Sequence, residues 1–342
     1  MALWGTVSFS QAQDCTQRLE QAQQAFENGQ IELIPDLVGE CIKTNFSRLQ
    51  LGQAYKLLVL THIYDNEPQL AEETMLELLR HDPLFEVDLQ NDPAEFIHLY
   101  NQFRTDPIVK IGVNFGGNTQ IYNVSKTYGP ENQNEISAAY AGIAGLMFGI
   151  GAEYPINKRW AATGDLNYVI RKTKIEKEPL FDFNTLELEE IQNWIDLTLM
   201  GKYYLKDLNA VSKIDGIIIP FAKLGVSMNF LIKDDGRLTT TQDDLKDIKG
   251  PTEDLSEFKN SLQFGAIAGV GAEYHFGRSI IQVTANFQYI FDDLVDSDSR
   301  GTQEGLRILN KYGYQEDDYK AHTISLVASY RLKIFNPKKL TK

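Results

Sequence analysis

The sequence predicts a mainly β protein, an eight-stranded antiparallel transmembrane β-barrel behind an N-terminal all-α region of helical hairpins. Three observations carry this. Apolar residues recur at helical spacing up to about Phe103, then at every second position from residue 107 to 335. The alternating segments are about 10 residues long, which crosses a bilayer when a strand is tilted. The links between them are alternately short and long.

Composition narrows the partners before any element is placed. The 342 residues carry 33 Lys and Arg against 47 Asp and Glu, a net charge of −14, so phosphate backbones are repelled and nucleic acid is not expected as a partner. Hydrophobic residues at 43% and charged residues at 23% are too apolar a mixture for a disordered chain. No stretch reaches the roughly 18 to 20 apolar residues of a membrane helix, which excludes a helical membrane protein. A mean hydropathy of −0.30 leaves a membrane barrel open, because alternating apolar positions average away.

Residues 1–12 read as an export signal lacking its beginning: Ala2, Leu3, Trp4 and Val7 are apolar, and Ser10-Gln11-Ala12 fits a small-x-small cleavage site. A periplasmic helical region is expected over residues 13–104. Leu19, Ala22, Ala25 and Phe26 share one face, Gly29 interrupts, and Ile31, Ile34, Leu37, Val38, Cys41 and Ile42 form a second stripe, giving a helical hairpin. A second hairpin runs from Tyr55, Leu58 and Ile63 to Ala71, Met75 and Leu78, with Pro68 in the turn and Pro83 past the end. Tyr55, Leu58, Ala71 and Pro83 suit a tetratricopeptide pattern, while Val59 and Met75 replace its small glycine and later aromatic. Asp92 and Pro93 read as N-cap and first turn of a last helix through Phe96, Ile97 and Tyr100. Cys15 and Cys41 lie on the two arms of the first hairpin, at similar distances from Gly29. They are a candidate disulfide in an oxidising compartment; two buried, reduced thiols are the alternative.

Eight strands follow, over residues 109–115, 140–154, 160–170, 195–205, 218–230, 262–274, 281–291 and 322–334. In the last, Ile324, Leu326, Ala328, Tyr330 and Leu332 alternate with Thr323, Ser325, Val327, Ser329 and Arg331, so one face is greasy and the other mostly polar. Residues 155–159 and 275–279 make tight links, and the link around 207–215 has about eleven residues. The other four run roughly twenty to thirty residues and are rich in Asp, Glu, Asn, Thr and Lys. Strict alternation of short and long is the pattern of an outer-membrane barrel with short periplasmic turns. An even strand number places both barrel ends in the periplasm, together with the helical region and a tail over residues 336–342.

Gly149-Ile-Gly-Ala-Glu-Tyr154 is echoed by Gly269-Val-Gly-Ala-Glu-Tyr274, each before a tight turn. Neither opens a helix, so neither is a phosphate loop. Tyr154, Trp160, Tyr203, Tyr274 and Tyr330 fall on the greasy face at the periplasmic boundary and form an expected aromatic girdle. On Gly151-Ala-Glu-Tyr154, the following Trp160 and Tyr168, residues 107–335 resemble the PorT-like outer-membrane β-barrel family of Bacteroidota. The last strand ends near Phe335, as such barrels often end on an aromatic, but this chain continues through Lys342. The resemblance implies a place beside type IX secretion machinery, whose components include relatives of the family.

Eight strands enclose an interior that side chains fill, so an open diffusion pore is not expected. Strand direction puts Lys110, Glu153, Lys202, Lys223, Glu273, Arg331 and Lys333 in the periplasmic half of the lumen, where opposite charges are expected to pair as a plug. No catalytic, cofactor or metal site is expected. The histidines His62, His81, His98, His275 and His322 offer no triad pattern, and the run Asp292, Asp293, Asp296, Asp298 lacks the glycine and terminal glutamate of an EF-hand. The function expected is an accessory or scaffold subunit whose barrel, held in outer-membrane lipid and lipopolysaccharide, anchors a helical module that docks another envelope protein. A surface receptor or adhesin acting through the long loops is the alternative.

Overall fold

The computed structural model describes residues 7–44, 46–128, 138–177, 184–206, 216–242 and 248–340. Residues 1–6 of the expected export signal and the link over 207–215 lie outside them. The chain divides into two units, Met1–Ile108 with Ile334–Lys342, and Val109–Lys333.

In the first unit, helix α1 (Val7–Glu27) stops before Gly29, whose φ of 75° is a left-handed conformation that costs a residue without Cβ nothing. A 3₁₀ turn, Ile31–Leu33, leads into α2 (Ile34–Thr44). Helix α3 (Arg48–Tyr64) opens on a capping box, in which the Ser47 hydroxyl accepts the Gln50 N–H and the Gln50 side chain accepts the Ser47 N–H. Helix α4 (Pro68–His81) begins on Pro68 itself, which the sequence reading placed in the turn. At the first helical position a missing N–H removes no intrahelical bond, so proline belongs there. Helix α5 is Ala94–Tyr100, and here too the reading needs correcting, because Pro93 is the N-cap. Asp92 is drawn away to the Lys56 ammonium at 2.5 Å and accepts the Asp88 N–H at 2.8 Å.

Helix α3 serves two cores. Ala54 and Leu57 pack with Leu19, Ala22, Ile34 and Val38, while Val59 and Leu60 pack with Met75, Leu78, Phe96 and Tyr100. The residues after the last strand complete this unit. Arg104 N–H donates to the Lys338 carbonyl at 3.0 Å, Leu340 N–H to the Gln102 carbonyl at 2.7 Å, and Lys339 pairs with Glu72 at 2.5 Å.

The second unit contains β1 (Val109–Lys126), β2 (Ala138–Pro155), β3 (Trp160–Lys177), β4 (Asn184–Tyr204) and β5 (Ile218–Gln242). After them come β6 (Ile248–Asp254), β7 (Leu262–Phe276), β8 (Ser279–Ile290) and β9 (Asp318–Ile334). The hydrogen-bonded order β4-β3-β2-β1-β9-β8-β7-β5 is closed by pairing of β4 with β5, so eight strands form a ring and β6 hangs outside it on β5. Closure leaves no unpaired edge, the condition for backbone polar groups in hydrocarbon.

Which face looks out decides the nature of the ring. Val283, Phe287, Ile324 and Leu326 point outward with exposures of 47%, 43%, 43% and 61%, whereas Gln282 is 1% exposed inside. The ring is therefore inverted relative to a soluble sandwich, greasy outside and polar within.

Toward the long-loop end the pattern turns over. Lys172, Lys174 and Glu176 follow Ile170 on the outward face of β3, and Glu189 and Glu187 follow Ile191 on β4. Inside, Ile175, Leu186, Leu188 and Leu238 pack with Leu255, Phe258, Ile308 and Tyr314, the last four from the connections. Helix α6 (Gln303–Tyr312) closes this cap, its N-terminus held by the Thr302 hydroxyl and its end by Gly313 at φ 67°. Above the greasy belt an outward side chain meets water and the interior needs an apolar core, so the two faces exchange character.

This corrects the strand boundaries. The first strand runs on past Phe115 to Lys126, and the fourth starts at Asn184 instead of residue 195. The β1–β2 and β3–β4 links shrink to residues 127–137 and 178–183, while the β5–β7 and β8–β9 links remain long and carry structure.

Candidate functional site

Four strands converge on the lumen near the short-turn end. Inward parity on β1, β2, β4 and β7 aims Lys110, Glu153, Lys202 and Glu273 at one another, all buried. Lys110 lies 2.6 Å from Glu153 and 3.6 Å from Glu273; Lys202 lies 2.7 Å from Glu153 and also contacts Glu273 directly. Two ammonium groups and two carboxylates thus neutralise each other. Further partners complete the layer: Lys110 donates to the Tyr204 hydroxyl at 2.8 Å, Lys202 to the Gln282 side-chain oxygen at 2.9 Å, and His275 Nε2 lies 2.9 Å from Glu273. The phenol of Tyr204 donates to Glu153. Such a network satisfies charges that would be costly to bury singly.

The remaining residues of the expected network separate from this cluster. Arg331 pairs with Asp165 at 2.8 Å, a layer further along the lumen, and Asp165 also accepts from Asn114 at 3.1 Å. Lys333 donates to the Gly277 carbonyl at 3.1 Å in the tight turn. Lys223 joins no ion pair among the described residues and contacts the Phe221 ring, 5.4 Å from its centre. Lys223 is instead the register partner of Lys202, one ammonium beside another.

Glycines make the room. A Cβ on Gly151 would lie 2.0 Å from Asp165 Oδ1, and one on Gly149 2.4 Å from Asn167 Oδ1. On β7, a Cβ on Gly271 would meet the Phe221 ring at 2.6 Å. The Gly-x-Gly-Ala-Glu-Tyr echo thus lets side chains from other strands lie across two walls. Between the charged layer and the cap remains a cavity of about 40 Å³, as swept by the centre of a water-sized sphere, lined by Asn114, Thr198, Lys223, Gln282, Thr323 and Arg331 among others. That is room for about three waters.

A second polar centre lies in the cap. Lys259, just past the 3₁₀ turn Ser256–Phe258, is 2.9 Å from Glu190, 2.9 Å from Glu316 and 3.9 Å from Asp234, and donates to the Tyr319 hydroxyl at 3.1 Å. All are buried. Burial pushes the Asp234 carboxyl well above its ordinary range and raises that of Glu190, against the pull of Lys259. Parity in extended strands signals Tyr204, Asp165 and Gln282; nothing in the sequence signals Lys259, because its position comes from the fold of a connection.

The expected girdle residues face outward at the short-turn end. Trp160 and Tyr203 rings sit 4.9 Å apart, Tyr330 shares a 2.7 Å hydrogen bond with Ser279, and Tyr154 and Tyr274 are exposed. In the first unit Cys15 and Cys41 are joined as a disulfide, Cα atoms 5.7 Å apart. His322 is covered by Tyr289, stacked at 4.3 Å, and accepts the Ile290 N–H at 3.1 Å. Of the acidic run, Asp296 caps a 3₁₀ turn, Ser297–Gly301, and Asp292 accepts the Phe264 N–H at 3.1 Å.

A closed ring with a greasy outside, an aromatic rim and a filled polar lumen defines an integral outer-membrane β-barrel protein. Residues 101–296 match the family model of the outer membrane protein beta-barrel domain, more than half the chain, and the protein belongs to that family. Similar solved structures include the following three. OprG from Pseudomonas aeruginosa is 10% identical over 68% of this chain and 98% of its own, with a TM-score of 0.38. Neisserial surface protein A is 12% identical over 66% and 97%, with a TM-score of 0.31. The attachment invasion locus protein Ail of Yersinia pestis is 11% identical over 66% and 99%, with a TM-score of 0.28. The comparison with curated proteins gives no match.

Proposed function

We propose that the barrel is an anchor and that the helical unit, in the periplasm, is the working part: an accessory or scaffold subunit that docks another envelope component. The observation that carries this reading is the occupied lumen, in which Lys110, Lys202, Glu153 and Glu273 neutralise one another across the interior. An eight-stranded barrel whose interior is filled by side chains is better suited to an anchor than to a diffusion pore. The helical unit is what the anchor holds, with two cores, a disulfide and a C-terminal segment that returns to it. The PorT-like resemblance points to a type IX secretion-related assembly as the setting. The reading assigns no catalysis to the chain.

The test is co-purification of tagged protein after mild solubilisation of the native membrane, with and without residues 13–104 and 336–342. Loss of partners on that deletion supports the module. Partners that persist, and disappear instead when the outer connections are shortened, favour a receptor or adhesin. One observation speaks for that second reading: the connections carrying Phe258, Ile308 and Tyr314 pack into a cap with its own core and so present a fixed surface.

A further inference from the structure

The membrane-spanning lumen carries more positive than negative charge among the described residues. Lys110 and Lys202 are neutralised by Glu153 and Glu273, Arg331 by Asp165, and Arg171 by Asp196 at 3.0 Å. Lys333 reaches a backbone carbonyl in the turn. Lys223 is left over, 6% exposed, beside a second ammonium in register and without an anionic partner. A buried cation of this kind is expensive unless a counter-charge accompanies it.

The cavity that Lys223 lines offers a place for one. Arg331 turns one nitrogen to Asp165, while its Nε and Nη1 are buried without a partner; Thr198 Oγ1, beside Asp165 in register, is buried and unpartnered too. All can donate. Both carboxylates of the cavity wall, Asp165 and Asp196, already accept from arginines. Asn286 Oδ1 is an unpartnered acceptor on the same wall but carries no full charge, so unpartnered donors beside an uncompensated ammonium describe an anion's coordination shell. We propose that the mid-lumen cavity is a binding site for one small inorganic anion of halide size, held by Lys223 with Arg331 and Thr198. The site is independent of the docking role proposed above. It makes the anion a structural counter-ion that fixes the packing of β4, β5 and β9 around the lumen.

Crystals of the full chain soaked in bromide, read by anomalous scattering, and chloride NMR line width in detergent solution test the site. A bromide peak beside Lys223, with saturable chloride broadening that bromide displaces and gluconate does not, is expected. In Lys223→Met both signals are expected to vanish, while Lys333→Met keeps them. No peak in the unaltered protein, broadening that does not saturate, or a peak that survives Lys223→Met overturns the proposal. If Lys223→Met does not fold, the displacement measurement on the unaltered chain decides alone.

Discussion

Glu153 and Glu273 grip the same ammonium from opposite walls of the barrel: Lys202 lies 2.7 Å from one and touches the other, although the two acids belong to β2 and β7. Each occupies the fifth position of a Gly-x-Gly-Ala-Glu-Tyr stretch, so one local solution is used twice around the ring. The cluster is a cross-brace at the short-turn end.

Removing one member leaves a buried charge without its partner, a loss of about 3–5 kcal/mol. Lys202→Met should therefore lower the unfolding midpoint of the barrel in detergent, followed by heat-dependent migration on gels. Pairing it with Glu153→Gln should recover part of the loss, because neutral groups then face each other. A midpoint unchanged by Lys202→Met alone would show that the brace bears no strain of assembly.

The glycines of the echo make a separate prediction. Gly151→Ala places a methyl group where Asp165 and Arg331 already lie, and such overpacking costs about 1–3 kcal/mol. Gly117→Ala is the control, since a Cβ there meets nothing closer than 3.6 Å. Equal stability of the two variants in the same unfolding assay would sink the steric account of the repeat.

How much of this was readable beforehand follows from where the solvent changes. Within the greasy belt, parity alone assigned Lys110, Glu153, Lys202 and Glu273 to the lumen, because lipid outside forces every polar residue inward. Above it the rule reverses: Ile175 and Leu188 turn in while Lys174 and Glu189 turn out. A reading that equates apolar with outward ends its strands at that level and leaves residues 116–126 and 184–194 as loop. Lys259 was invisible for a different reason. Its partners come from β4, β5 and the segment before β9, and no local pattern announces such a meeting.

The disulfide and the C-terminal segment stabilise the helical unit by different means. Linking Cys15 to Cys41 closes a loop with a sequence separation of 26 residues, a constraint on the unfolded chain worth about 2–4 kcal/mol. Cys15→Ser with Cys41→Ser should speed amide exchange throughout α1 and α2. Removing residues 336–342 should instead loosen Gln102 to Arg104, whose backbone bonds it supplies, and leave α1 protected. Exchange measured by mass spectrometry separates the two patterns; a uniform response to both would mean that the unit opens as one body.

The cap should weaken as pH rises. Around Lys259 stand three carboxylates, Glu190 from β4, Asp234 from β5 and Glu316 from the segment before β9, with the Tyr319 phenol and the adjacent Lys177–Asp317 pair. One ammonium does not balance three carboxylates, and burial raises Asp234 and Glu190 above their unfolded values. At these two groups the native cap therefore binds more protons than the unfolded chain over the window between those values, whereas Glu253, held down to about 2 by Arg307 and Lys311, acts in the opposite sense only at acidic pH. Their contribution to stability is greatest below the ordinary carboxylate range and falls as pH climbs through the raised native values. Lys259 is itself held charged well above its ordinary value by these carboxylates, so it does not titrate in that window. Amide exchange of the segments around Phe258 and Ile308, corrected for intrinsic rate, should quicken from acidic to mildly alkaline pH, and Asp234→Asn should flatten the dependence. An unaltered cap that exchanges equally at acidic, neutral and mildly alkaline pH would mean that Asp234 and Glu190 stay ionised and find their compensation elsewhere.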